Sequence, residues 1–147
     1  MKKSFILGAL AIGLMAFTFG SNTPNNSTPT SVSDIKFKQL SLSDAKALAK
    51  EEGKLIFIDC HTSWCGPCKK MAATSFKDEE VTQVFNEKFI NLKIDIEKDA
   101  DGPEIARLYK IKAYPTLLVI NANGKLVKER VGFMTADQMV AFANSVD

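Results

Sequence analysis

Four consecutive apolar residues, Leu55-Ile56-Phe57-Ile58, stand in the middle of a chain whose other segments are periodic. A run that short, bounded by polar residues, predicts a buried strand rather than a helix. Upstream, Phe37 to Leu40 predicts a short strand. Ser41-x-x-Asp44 then opens a helix in the manner of a capping box, with Ala45, Leu48 and Ala49 inward and Gly53 at its end. Beyond Cys65 the pattern predicts a helix to about Phe76 and a second over Asp78 to Glu87. Ile90, Leu92, Ile94 and Ile96 alternate with Asn91, Lys93, Asp95 and Glu97, the period of a strand. Glu97 to Pro103 reads as an acidic turn before a short helix ending near Tyr109. Leu117–Ile120 and Lys125–Val131 flank Asn121-Ala122-Asn123-Gly124, whose Asn-Gly pair signals a hairpin. Thr135-x-x-Gln138 caps a last helix that buries Met139, Phe142, Ala143 and Val146. The order β-α-β-α-β-α-β-β-α implies parallel strands joined by helices, an antiparallel hairpin at the end, and helices over both faces of the sheet.

The amino-terminal residues follow another pattern. Lys2 and Lys3 precede an uncharged apolar run from Phe5 to Phe19, and Thr18 and Gly20 place small residues where a signal peptidase reads before Ser21. Residues 1–20 therefore predict a secretory signal, its apolar core short for a membrane span. An uncleaved N-terminal anchor is the alternative. No cysteine lies there to carry an acyl anchor. Residues 21–33 are polar, contain two prolines and read as a flexible tether, which leaves 34–147 for one domain. The chain has 19 basic and 17 acidic residues; without Lys2 and Lys3 the balance is 17 to 17. A formally neutral domain argues against nucleic acid as a partner.

Three cysteines are too few, and odd in number, for a disulfide scaffold. Cys65 and Cys68 lie in Trp64-Cys65-Gly66-Pro67-Cys68-Lys69, at the start of a predicted helix. The free N–H groups of a first helical turn stabilise a negative sulfur, and the thiolate is the form that attacks disulfides. Cys68 faces the same side and can close a ring onto Cys65. As a purely structural disulfide so small a ring would constrain the unfolded chain little, so redox chemistry is the stronger reading. The turn at Gly66-Pro67 implies that Cys65 is exposed, and Pro67 suits the first turn because it lacks the N–H that is unpaired there.

With these residues on the helix start, the chain resembles the thioredoxin fold over roughly residues 35–146. The resemblance rests on the Cys65–Cys68 motif, Asp59 six residues before Cys65, Tyr114-Pro115-Thr116 before a strand, and Val131-Gly132 before the last helix. It implies an α/β domain with a mixed central sheet flanked by helices on both faces. Thr74-Ser75-Phe76-Lys77-Asp78, Val81 and Gly132-Phe133 are further similar to periplasmic thioredoxin-like domains, in particular the C-terminal domain of the membrane reductase of thiol–disulfide interchange.

The resemblance implies roles. Cys65 is the nucleophile, and Cys68, more buried and less acidic, is the resolving sulfur. Gly66-Pro67 accompanies reducing members, thioredoxin itself lying near about −270 mV. Asp59, behind the dithiol, would have a raised pKa and accept a proton when Cys68 attacks; a surface acid at a strand end is the alternative. A lysine lies near this acid in the family. Here Asn91 fills that position and Lys93 stands two residues on, so proton handling is expected to differ. Pro115 would be a cis-proline that turns the backbone of Tyr114 towards a substrate strand. Trp64, Tyr114, Gly132 and Phe133 would form an apolar platform round Cys65. His61, the only histidine, stands where thioredoxins carry an aromatic; it either tunes the thiolate or packs. Cys60 alternates away from Asp59 and reads as a small buried hydrophobe. Cys60, His61, Cys65 and Cys68 include zinc-type donors, but adjacent strand residues point to opposite faces, so no metal is expected.

The expectation is therefore a monomeric, exported thiol–disulfide oxidoreductase whose only redox group is the Cys65–Cys68 disulfide, with no organic cofactor. Its partners would be disulfide-containing exported proteins and a membrane electron donor that re-reduces it. A disulfide oxidase or isomerase, and a non-catalytic peptide-binding module, are the competing readings.

Overall fold

The computed structural model describes residues 34–146; the signal reading of 1–20 and the tether reading of 21–33 lie outside them. Five helices and four strands follow in the order α1 (Leu42–Glu52), β1 (Leu55–His61), α2 (Gly66–Ala73), α3 (Glu79–Lys88), β2 (Phe89–Asp95), α4 (Gly102–Leu108), β3 (Thr116–Ile120), β4 (Leu126–Val131) and α5 (Ala136–Asn144). The sheet order is β2-β1-β3-β4. β1 and β2 are parallel, whereas β3 runs antiparallel to β1 and to β4.

The direction of β3 departs from the parallel run that the element order implies. The seven residues of α4 span about 10 Å. That is less than half of the roughly 23 Å of a seven-residue strand, so α4 does not carry the chain back along the sheet. It re-enters at the end it left, with Thr116 opposite Cys60. The expected strand over 37–40 is reduced to a single parallel bridge from Phe37 to Asn91. Lys36 N–H is taken by Asn86 Oδ1 at 2.7 Å, and by Ser41 the chain is already capping α1, whose Asp44 N–H donates to Ser41 Oγ. The helix expected to reach Phe76 stops at Ala73. Thr74 Oγ1 bonds Lys70 O, Ser75 Oγ reaches across to Met134 O at 2.7 Å, and a 3₁₀ turn over Ser75–Lys77 leads to Asp78, the N-cap of α3.

Side-chain alternation sorts the core into two layers. Ile56, Ile58, Cys60, Ile90, Leu92, Leu118 and Ile120 meet α1 and α4 on one face. Phe57, Leu117 and Val119 meet α2, α3 and α5 on the other, through Met71, Phe85, Met139 and Phe142. The second face also carries the polar positions of β2: Asn91 is buried under α3, and Asp95, at the strand's end, is buried with its Oδ1 accepting Glu97 N–H. α5 begins in a full capping box between Thr135 and Gln138 and buries Met139, Phe142 and Ala143, the stripe its period predicts. In the hairpin, Asn121 Oδ1 accepts from Asn123 N–H and Lys125 N–H, and Gly124 supplies the positive φ of 81°.

Phe85 anchors the second of these layers: wholly buried, its ring lies 4.8 Å from that of Phe57 and 5.3 Å from that of Phe89. Phe85→Ala is expected to cost about 3–5 kcal/mol in urea unfolding. Val127→Thr on the exposed edge strand should stay within about 0.5 kcal/mol.

Candidate active site at the start of the second helix

β1 delivers the site. It ends at His61, a turn closes from Cys65 N–H to Thr62 O, and Cys65 becomes the N-cap of α2. The Cys65 sulfur takes the place of the usual serine or aspartate oxygen and accepts Cys68 N–H at 3.2 Å. Pro67 occupies the first turn, where its missing N–H leaves nothing unpaired. Cys65 and Cys68 are joined as a disulfide, with Cα atoms 5.4 Å apart.

Both cysteines are buried, at 3% and 4% exposure. The sequence implied an exposed Cys65 over a more buried Cys68. In the disulfide each sulfur covers one side of the other, so the two are shielded alike.

Asp59 lies on the dithiol face of β1 and is 1% exposed. Burial pushes its carboxyl above the ordinary range, and the positive charges of Lys93 and His61 offset this only in part. Lys93, registered directly opposite Asp59, places Nζ 3.4 Å from Oδ2, while Oδ1 has no hydrogen-bond partner. This corrects the sequence reading. Lys93, not Asn91, stands at the acid, and Asn91 lies opposite Phe57 with Nδ2 donating to Phe85 O. The Lys93 ammonium also lies over the rings of Phe37 and Phe76, at 5.7 and 5.4 Å.

The Tyr114–Pro115 peptide is cis. Its loop is tied to the segment before α5 by Gly132 N–H donating to Pro115 O at 2.8 Å, with Gly132 at φ 94°. Trp64 is 64% exposed and meets Tyr114 edge-on at 5.9 Å. Phe133, grouped with these aromatics by the sequence, sits instead under Lys70 Nζ, at 4.8 Å, in a hollow shared with Thr74, Thr135 and Ala136. Half-buried His61 borders a separate hollow with Thr62, Cys68 and Lys93. Cys60 faces the aliphatic layer beneath the sheet, where burial pushes its thiol well above the usual range.

Two participants had no signal in the chain. Glu97 Oε2 accepts from Trp64 Nε1 at 2.9 Å across 33 residues, and Thr62 has a buried hydroxyl without a partner. Neither follows from local pattern, because both depend on where the turns after β1 and β2 meet.

A disulfide at a helix N-terminus, with a buried carboxylate on the preceding strand and a cis-proline at the start of the neighbouring one, defines a thiol–disulfide oxidoreductase. The comparisons agree. The model of the thioredoxin-like domain family matches residues 42–147, and the chain belongs to that family. A candidate disulphide-isomerase from Bacteroides thetaiotaomicron, solved in solution, is 42% identical, with a TM-score of 0.67 over 74% of this chain and 89% of that one. Thioredoxin-1 of Drosophila melanogaster is 32% identical over 81 residues, 55% of this chain and 70% of the relative. The thiol:disulfide interchange protein DsbD of Haemophilus influenzae (strain PittEE) is 29% identical over 119 residues, 78% of this chain but 20% of that protein.

The raised carboxyl has a consequence for stability. Above the unfolded-state pKa the folded chain still holds a proton on Asp59 that the unfolded chain has released. The group's contribution is therefore complete at low pH and is lost as pH rises through the raised value. Asp59→Asn is expected to be more stable than the parent at about pH 8, with the gap closing towards about pH 4. Urea unfolding of the oxidised proteins at both values measures this; a gap independent of pH would contradict the shift.

Proposed function

We propose that this chain is an exported reductase of protein disulfides. The observation that carries the reading is the Cys65 sulfur at the start of α2, accepting a backbone N–H, with buried Asp59 and its half-buried partner Lys93 on the same face of the sheet. In the reduced state the Cys65 thiolate attacks a partner's disulfide and one partner sulfur leaves as thiolate. Cys68 gives its proton to Asp59, attacks Cys65, and releases the second partner sulfur. The partner binds as an extended segment beside Tyr114 and cis-Pro115, with Trp64 as an exposed apolar contact.

Support for the reducing direction comes from Gly66-Pro67 and from the likeness to DsbD. Support for export comes from the signal-like pattern of residues 1–20. Among the described residues no helix is long and apolar enough to cross a membrane. In an oxidising compartment the dithiol would be spent after one turnover, so a membrane electron donor re-reduces it. The identity with the Bacteroides protein favours a second reading, disulfide isomerisation.

The purified chain is expected to reduce insulin with dithiothreitol as the electron source, and Cys65→Ser to abolish this. Cys68→Ser should accumulate mixed disulfides with exported proteins. Equilibration with glutathione is expected to give a potential near about −270 mV, well below the about −180 mV of protein disulfide isomerase. A value near the latter, with efficient repair of scrambled ribonuclease, would select isomerisation instead.

A further inference from the structure

We propose that His61 is the proton outlet of the site, carrying the proton released by Cys68 from the buried Asp59 to solvent. The inference rests on the reading above, in which Asp59 accepts that proton, and adds the route by which it leaves. Asp59 is 1% exposed and releases nothing directly to water. Lys93 holds Oδ2, while the buried Oδ1 is left without a partner. His61 lies two residues along β1 on the same face, about 7 Å on at strand spacing.

The imidazole lines a hollow of about 230 Å³ with Thr62, Ser63, Cys68, Lys69 and Lys93. At about 30 Å³ per water that space admits a short chain of waters, provided polar atoms hold them. Polar side chains among the lining residues are the imidazole, the Lys93 and Lys69 ammonium groups and the Ser63 hydroxyl. The hollow thus joins the resolving cysteine, the lysine that holds the acid, and a half-buried titratable ring. The charged groups around the ring are Asp59 on its own strand, Lys93 and Asp95 on β2, Lys69 on α2, and Glu97 in the turn beyond β2. Asp95 is registered opposite His61.

The step balances as follows. Cys68 loses its proton to Asp59 and its sulfur bonds to that of Cys65. The bond between Cys65 and the partner breaks, and the partner's sulfur leaves with the electron pair as thiolate. The proton then moves from Asp59, which lies behind the lining residue Lys93, into the hollow and to neutral His61, and from there to solvent or to the departing thiolate. Imidazolium cannot accept it, and its charge favours the Asp59 anion, which makes that anion a weaker base. Resolution is therefore slower when the imidazole is charged than when it is neutral.

The test follows the reduced chain reacting with dithionitrobenzoate in stopped flow. The first thionitrobenzoate reports attack by Cys65, and the second reports resolution by Cys68. In the wild type the ratio of second to first rate should rise with pH. His61→Gln, and His61→Phe which keeps the ring's bulk, should flatten that rise and lower the ratio about tenfold at pH ~7.5. That is less than the roughly 10²-fold of a general base removed outright, because Asp59 remains. Added imidazole should restore the ratio saturably in His61→Ala, an effect that a packing role does not produce. A wild-type profile without the rise, a Gln or Phe variant with the wild-type profile, or an absence of imidazole rescue each overturns the inference. A wild-type chain that releases no thionitrobenzoate overturns the underlying reading instead.

Discussion

The site depends on a sulfur occupying a position that helices reserve for oxygen. α2 opens with Cys65 as its N-cap, and the N–H of Cys68 has the Cys65 sulfur as its acceptor. A thiolate accepts that bond, and faces the positive end of the helix, better than a thiol or a disulfide sulfur does. Helix formation and sulfur reactivity are thus one event: folding the first turn of α2 stabilises the form that attacks. The size of the effect sets its limits. A charge at a helix end gains about 0.3–2 kcal/mol. At about 30 mV for 1.4 kcal/mol, that moves a two-electron potential by tens of millivolts at most. The family's members span about 150 mV, so the helix start activates the sulfur but does not alone choose the direction of electron flow. Gly66-Pro67 and the buried charges behind the dithiol must carry the remainder.

Those buried charges conflict with stability. Asp59 sits in the central strand among Phe57, Leu117 and Met71, where an apolar residue would pack without penalty. Its partner Lys93 keeps partial access to solvent, and one carboxylate oxygen is unpaired. A pair so placed is a poor stabiliser, because removing two charges from water costs about as much as their attraction returns. What the arrangement supplies is a carboxyl on the dithiol face of β1 whose proton affinity is raised by its surroundings. The fold tolerates it because both faces of the sheet are otherwise filled, by Phe85, Met139 and Phe142 on one side and by the isoleucine and leucine layer on the other.

Much of this was legible along the chain, and the failures share a cause. The period of α5, the Asn-Gly turn and the helix-starting dithiol are local patterns, and local physics decides them. The partner of Asp59 is not local. Side chains on a strand repeat every two residues, so Asn91, Lys93 and Asp95 all point to the same face. Only the register of β2 against β1 brings Lys93, not Asn91, to the acid, and that pairing is made across the helical crossover of residues 62–88. The direction of β3 was hidden likewise, since it depends on α4 being too short to cross the sheet. The strand expected at Phe37 failed through competition: Ser41 claims the chain for a helix cap before a ladder can extend.

The third cysteine shows how the sheet protects the chemistry. Cys60 is one residue from Asp59 and five from Cys65, close enough along the chain to scramble an exchanging disulfide. Exchange needs a thiolate with access to a sulfur. Cys60 points into the aliphatic layer beneath the sheet and is wholly buried. Burial there, with the charge of Asp59 nearby, pushes its thiol far from ionisation at any working pH. Strand alternation thus places one cysteine in a medium that keeps it a hydrophobe, while the turn after β1 delivers another to a helix terminus that favours its anion. Cysteines of the same intrinsic chemistry lie on opposite faces of a sheet, and it is that separation that keeps Cys60 out of the exchange at Cys65 and Cys68.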